Sequence, residues 1–250
     1  MTSDTATYVF CLVESDRAPS LRGVPGSVPG AGPPRVIPVD RRVWAVVADA
    51  PLERFAGEQL QRDLQDVEAI SRHALAHASV IEFFFRRAPV IPLKLFTLFS
   101  SDRRVQADLQ SQRARLRKLF AGLRGLEEWG VRVIAGDVEA RSARSLSSGR
   151  DYLQTKKRLS DRSAAPPRSV VRDANAALNA LGRLAAKARK ESFPPPGRSR
   201  PFVAGASFLV KARRRSHWKK EAARLTESLA RRGHSLEVTG PWPPYHFVSR

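Results

Sequence analysis

The chain has 250 residues, 42% of them hydrophobic, and a formal net charge of +20 at pH 7. This length favours two domains over a single larger one, and no apolar run approaches the roughly 18 residues that a membrane helix needs. A single cysteine, Cys11, excludes an intramolecular disulfide and a zinc site built from thiolates.

The positive charge is concentrated in the second half of the chain. Residues 1–140 contain 19 Lys and Arg against 17 Asp and Glu, whereas residues 141–250 contain 25 against 7. Such asymmetry indicates an anionic partner, for which nucleic acid, an anionic surface and an acidic protein patch all qualify.

The first half predicts a mixed α/β unit. Its first residues, MTSDTATY, lack the basic start and apolar run of a signal peptide, so we expect an intracellular, cytoplasmic protein. TYVFCLV (7–13) predicts a central strand, and beyond a Gly- and Pro-rich loop RVIPV and VWAVVAD predict a β-hairpin. From Gly57 to Ile81, apolar residues recur every three or four positions and predict one long helix. A strand in APVIPLKLFTLF, one helix capped by Ser101 and ended by Gly125, and a strand in EWGVRVIAG follow, an order close to ferredoxin-like wiring for residues 1–138.

Three consecutive aromatic residues end the predicted long helix. Successive helical residues point about 100° apart, so one apolar stripe cannot bury Phe83, Phe84 and Phe85 together. Either these residues leave the helix or one ring faces a partner. Together with Phe96 they are our candidate partner contacts, beside sheet edges near Val90–Phe96 that would accept a partner strand.

The second half predicts a basic α+β domain over residues 139–250. SGRDYLQTKKRLSD (148–161) and VVRDANAALNALGRLAAKARK (170–190) predict a helical pair, and SFPPPGRSRP (192–201) predicts a stiff linker. FVAGASFLV predicts a strand, the stripe from Trp218 to Leu229 a helix, and HSLEVTG a further strand of a small sheet.

The chain closes on an extended aromatic tail (residues 240–250). Its sequence GPWPPYHFV contains prolines that exclude a helix or a central strand from residue 240 to residue 244. We interpret Trp242, Tyr245 and Phe247 as a latch onto the protein's own domains, since large aromatic side chains left in water favour aggregation. The alternative is that the tail docks into a groove on a partner.

Few residues indicate catalysis or ligand binding. His73 and His77 stand four residues apart and would face one metal ion, but no glutamate lies between them and no third ligand is near, which favours packed structural histidines. GASFL (205–209) lacks the second glycine of a nucleophile elbow. The sequence therefore predicts no catalytic, cofactor-binding or metal-binding residues and a protein that is not an enzyme.

Nucleic-acid binding is the alternative function. The basic runs KKR (156–158), KARRR (211–215) and WKK (218–220) would neutralise phosphates, and Trp218 would stack on a base. The simpler interpretation is that these runs are solvated helix faces, because Trp218 also falls on an apolar helix stripe.

The ending LEVTGPWPPYHFV closely resembles the C-terminal signature of the gas vesicle protein F/L family. TYVFCLV, VWAVVADAPLERF, PVIPLKLFTLFSS, LEEWGVRV and SGRDYL are similar to segments of that family, in the same order. One departure is PLKLFT, where the family tends to read PLRFGT, so that Phe96 replaces a glycine.

The resemblance implies an accessory protein of gas vesicle assembly with two α+β domains, the first ferredoxin-like. Its expected partners are the small, very apolar shell protein of the gas vesicle and other accessory proteins. The implied role is that of a minor vesicle component or a chaperone, without catalysis, cofactor or membrane insertion.

Overall fold

We describe a computed structural model of the chain for residues 4–136, 166–191 and 202–248. The chain divides into two compact units, which we call the first unit (Met1–Gly125 with Trp242–Arg250) and the second unit (Leu126–Pro241). Each unit contains its own β-sheet. Among the described helices, none combines the length and the hydropathy that crossing a bilayer requires.

The sheet of the first unit is antiparallel, with the strand order β2-β3-β1-β4 and with β5 also paired to β1. The strands are β1 (Thr5–Glu14), β2 (Arg35–Asp40), β3 (Val43–Pro51), β4 (Val90–Pro92) and β5 (Leu98–Phe99). All residues of β1 except its two ends are buried, because this apolar strand lies at the centre of the sheet. The predicted β2–β3 hairpin is confirmed.

The predicted long helix from Gly57 is in fact two helices. After α1 (Leu52–Phe55), α2 (Gly57–Gln65) ends at Asp66, which is extended and caps α3 (Val67–Phe85) by accepting a hydrogen bond from the Glu68 amide at 2.8 Å. An aspartate in this position starts a helix more readily than it continues one. The apolar stripe is interrupted accordingly, and Leu64 and Val67 are exposed.

Two shorter helices complete the first unit. Ser101 caps α4 (Asp102–Ser111), as predicted, but the single helix expected up to Gly125 is in fact two, because α5 (Arg113–Leu123) follows only after a break at Gln112. The core of this unit joins one face of the sheet to α3, and its largest buried members are Tyr8, Phe10, Phe55, Ile81, Phe83 and Phe84.

The second unit has the strand order β7-β8-β6-β9. Its elements are β6 (Leu126–Ile134), α6 (Arg168–Leu184), β7 (Lys187–Lys190), β8 (Phe202–Lys211), a 3-10 turn (Ala212–Arg214), α7 (Arg215–Arg231) and β9 (Ser235–Trp242). Both helices pack against the sheet around the fully buried Trp218, whose indole N–H donates to the Leu181 carbonyl at 3.3 Å. The predicted basic helix at residues 148–161 and the linker at residues 192–201 lie outside the described residues.

The mixed α+β class is as predicted, but the strand expected to complete the first sheet belongs to the second. EWGVRVIAG forms most of β6, which pairs with β8 from Leu126 to Ile134. The compact units accordingly separate at Gly125, whereas the sequence pattern predicts the boundary between residues 138 and 139. A strand's own residues specify its buried face but not its partner, which explains the difference.

Candidate functional site

The three phenylalanines at the end of α3 do not form an exposed patch. Phe83 and Phe84 are buried and Phe85 is half-buried, and all three belong to or pack against the core of the first unit. The Gly- and Pro-rich loop after β1 explains this, because its residues Leu21, Val24 and Val28 pack on the same core and Arg87 covers the Phe83 ring at 3.7 Å. From its sequence, this segment is predicted only as a loop between two strands, with no role in the core.

Phe96 lies in a tightly bonded turn between β4 and β5. The Thr97 amide and hydroxyl both donate to the Lys94 carbonyl, at 3.2 and 2.7 Å, and the Phe96 amide donates to the Tyr8 hydroxyl at 3.3 Å. Phe96 itself has a φ of 60°, a left-handed conformation that glycine adopts without steric cost. Its half-buried ring packs on the core, 5.2 Å from the His73 ring.

His77 is held by hydrogen bonds at both ring nitrogens. Its Nε2 lies 3.1 Å from the Leu93 carbonyl, which only accepts, so this nitrogen carries the proton and Nδ1 accepts from the Tyr8 hydroxyl at 2.8 Å. Burial lowers the pKa of His77 and keeps the ring neutral. His77 is therefore a structural connection between α3, β1 and the turn, with no lone pair left for a metal ion.

His73 has a different environment. Its ring is buried, Nε2 lies 3.6 Å from the Asp63 carboxylate on α2, and Nδ1 has no hydrogen-bond partner. Burial lowers the pKa of His73, while the nearby Asp63 acts in the opposite direction. Within the part of the chain that the structure describes, no three His, Cys, Asp or Glu residues are grouped as metal ligands would be.

The first unit contains an apolar groove of about 750 Å³. Three segments distant in the sequence form it, together with the end of the chain, so no local pattern identifies it in advance. Its walls are α3, the β4–β5 segment, α4 with α5, and the aromatic tail, through residues that include Ala74, Ala78, Leu93, Leu95, Leu109, Leu116, Leu119, Tyr245 and Val248. We call this feature the groove.

The groove also carries a few charged groups. Lys94 and Arg115 are exposed and line it, and Asp108 is the carboxylate among its lining residues. The Arg115 guanidinium donates to the Gln112 side chain at 2.9 Å. The groove can therefore accept apolar side chains together with a carboxylate.

The aromatic tail reaches the groove after β9. Pro243 and Pro244 are buried, and a single helical turn, α8 (Tyr245–Val248), contacts β4. Of the predicted latch residues, Tyr245 packs against the core of the first unit, Phe247 is half-buried and Trp242 is 40% exposed.

Among the described residues of the second unit, the basic side chains do not form the site that the alternative, nucleic-acid binding, requires. Trp218 is fully buried, so its ring cannot stack on a base. Arg215 forms a bidentate ion pair with Glu127, and Lys219 lies 5.7 Å from the Trp129 ring. Lys211, Arg213 and Arg214 are exposed, and the run at 156–158 lies outside the described residues.

Comparisons with known proteins agree on one family. A family model described as "Gas vesicle synthesis protein GvpL/GvpF" matches residues 6–249. Gas vesicle protein L of Streptomyces sp. (strain CB03234) is 27% identical and the match covers 99% of this chain and 94% of that protein. Gas vesicle protein L2 of Halobacterium salinarum is 26% identical, with 96% of this chain and 90% of that protein covered.

Solved structures share the fold. The crystal structure of the gas vesicle protein GvpF from Anabaena sp. PCC7120 has a TM-score of 0.68 at 15% identity and covers 98% of this chain and 97% of its own. The crystal structure of GvpF from Microcystis aeruginosa has a TM-score of 0.66 at 12% identity and covers 98% of this chain and 99% of its own.

Proposed function

Because the chain belongs to the gas vesicle synthesis protein GvpL/GvpF family, whose members take part in gas vesicle formation, we propose that it is an assembly accessory protein that binds the apolar shell protein. Binding limits aggregation of the shell protein before or during nucleation of the vesicle. The protein acts in the cytoplasm or at the gas vesicle, alongside other accessory proteins.

The groove is the observation that supports this proposal. A shell subunit has apolar surface that packs in the finished wall, and such surface aggregates while it is free in water. An open, mainly apolar groove of about 750 Å³ offers room for several side chains of such a subunit. Apolar helices and strands are recognised in this way by other proteins that bind peptide segments.

A pelleting assay with groove variants tests the proposal. At equimolar ratio, we expect the wild-type protein to reduce the sedimented fraction of purified shell protein. Leu119 is half-buried and lines the groove, so Leu119→Glu places a charge against the bound apolar segment and should abolish the protection.

Leu75→Glu is the matched control. Leu75 lies on α3, is 70% exposed and does not line the groove, so the same change there should leave the protection intact. Circular dichroism checks that both variants are folded. If wild-type protein leaves sedimentation unchanged, the proposed function is wrong.

A further inference from the structure

The aromatic tail already occupies one side of the groove. Tyr245, His246 and Val248 line it, and Tyr245 packs on the core beneath. The other walls come from residues 12–119, whereas the tail arrives only after the whole second unit. The tail is thus a separate segment docked on a surface that the rest of the first unit builds.

The last turn of the tail is docked shallowly, although Pro243 and Pro244 before it are buried. The turn α8 has no buried residue, since Tyr245, Phe247 and Val248 are half-buried and His246 is exposed. A helix of one turn has little stability of its own, and segments with few buried apolar contacts open at small free-energy cost. The large buried side chains of the core, such as Phe10 and Phe84, belong to other elements.

The tail also leaves most of the groove open. The cavity of about 750 Å³ lies beside Tyr245 and Val248, with Lys94 and Arg115 among its other lining residues. A partner segment with several apolar side chains and a carboxylate would fill this space and pair with the two cations. A segment that filled this space and took the place of α8 would bury more apolar surface than α8, which has no fully buried residue.

We propose that the turn α8 (Tyr245–Val248) is an intramolecular ligand of the groove, which an apolar, carboxylate-bearing segment of the shell protein displaces. This inference rests on the proposed function. The tail covers apolar surface while no partner is bound, which limits self-association. A tail docked for about nine-tenths of the time lowers the apparent affinity of the partner about tenfold.

Cross-linking the tail in place tests displacement in the full chain. Leu119→Cys and Val248→Cys put thiols on two sides of the groove, and the native Cys11 is fully buried, with a pKa raised by burial, so a bis-maleimide reagent leaves it unmodified. We expect the cross-linked protein to bind shell protein at least about tenfold more weakly than the same variant before cross-linking. Each single-cysteine variant treated with the reagent is the control. Equal affinity before and after cross-linking would overturn the proposal.

Tyr245→Ala tests the opposite change. Removing the half-buried ring weakens docking of the tail, so affinity for shell protein should rise severalfold, up to about tenfold. A lower affinity in a variant with an unchanged circular dichroism spectrum would make the tail a permanent part of the partner site and overturn displacement.

A labelled peptide of residues 240–248 is a probe that does not depend on the shell protein. It should bind Tyr245→Ala more tightly than the wild type, in which the tail competes, and Leu119→Glu should abolish its binding. If the peptide binds neither protein, the tail is not a ligand of the groove. If the peptide behaves as expected but shell protein does not bind, the proposed function alone is wrong.

Discussion

Phe96 has a backbone conformation that residues with a side chain disfavour. Its φ of 60° costs an L-residue roughly 1–2 kcal/mol, because the Cβ atom crowds the following carbonyl. The Phe96 amide donates to the Tyr8 hydroxyl, and the Val9 amide donates to the Thr97 carbonyl at 2.9 Å, so the backbone is held on both sides of Phe96. A glycine at this position would adopt the same backbone without strain.

Replacing Phe96 separates backbone strain from loss of the ring. Phe96→Ala and Phe96→Gly remove the same ring, but only glycine relieves the left-handed strain. We therefore expect Phe96→Gly to be more stable than Phe96→Ala by about 1 kcal/mol in urea unfolding. Equal stability of the two variants would contradict a left-handed backbone at this position.

Among the elements, α4 is fixed to the sheet by its first residue. The Arg35 guanidinium on β2 donates to both Asp102 carboxylate oxygens, at 2.6 and 2.9 Å, and the Thr7 hydroxyl on β1 donates to the same carboxylate at 2.8 Å. Arg35 also donates to Asp49 on β3, at 2.6 Å. One helix start is thereby bonded to two strands and, through Arg35, to a third.

These bonds make the stability of the first unit depend on pH. The hydrogen bonds from Arg35 lower the pKa of Asp102, so the ionised carboxylate stabilises the fold above its unfolded pKa of about 3.9, and this contribution is lost as the pH falls through the lower folded pKa. Asp102→Asn should cost about 1 kcal/mol at pH 7, a modest value because the Arg35 and Asp102 side chains are 34% and 38% exposed.

The deficit of Asp102→Asn should begin to shrink below about pH 4, where the carboxylate of the unfolded chain becomes protonated, and should be smallest below the lower pKa of the folded state. Urea unfolding of the wild type and of Asp102→Asn over this pH range measures the deficit. Asp108→Asn, on the exposed side of the same helix, is the control and should show a smaller deficit at pH 7. A deficit for Asp102→Asn that stays constant from pH 7 to the acid limit would exclude an ionic origin.

The sequence predicts elements well where the local chemistry of a cap or a turn decides them. The helix capped by Ser101 and the β2–β3 hairpin follow from cap and turn chemistry, and both are present. Prediction from the sequence fails where a tertiary contact overrides the local preference for a helix or a strand. Lys187–Lys190 continues a helical pattern yet forms β7, because pairing with β8 satisfies its backbone.

In the whole molecule, the chain leaves the first unit after Gly125 and returns to it at Trp242. We therefore predict that the tail, acting as a latch, stabilises the first unit. Trp242→Ala should lower the melting temperature by about 2 °C in scanning calorimetry, a small effect because the side chain is 40% exposed.

The same variant should still bind shell protein. If Trp242→Ala left melting untouched but abolished binding, Trp242 would contact the partner and would not be a latch.

At this scale the sequence alone predicts least. The α+β class and the family follow from strand and helix patterns and from the tail motif. The sheet that accepts β6, and the groove made by α3, α4, α5 and the tail, depend on contacts between distant segments, for which no residue carries a local signal.

The return of the chain to the first unit also sets an order of events during translation. Ribosomes add residues from the amino terminus, so Leu126–Pro241 must be synthesised before Trp242–Val248 appears. Because translation adds about 5–20 residues per second, the last segment of the first unit is synthesised on the order of ten seconds after the rest of that unit. Throughout that interval the apolar surface of the groove is exposed on the nascent chain, because the tail that covers part of it has not yet been synthesised.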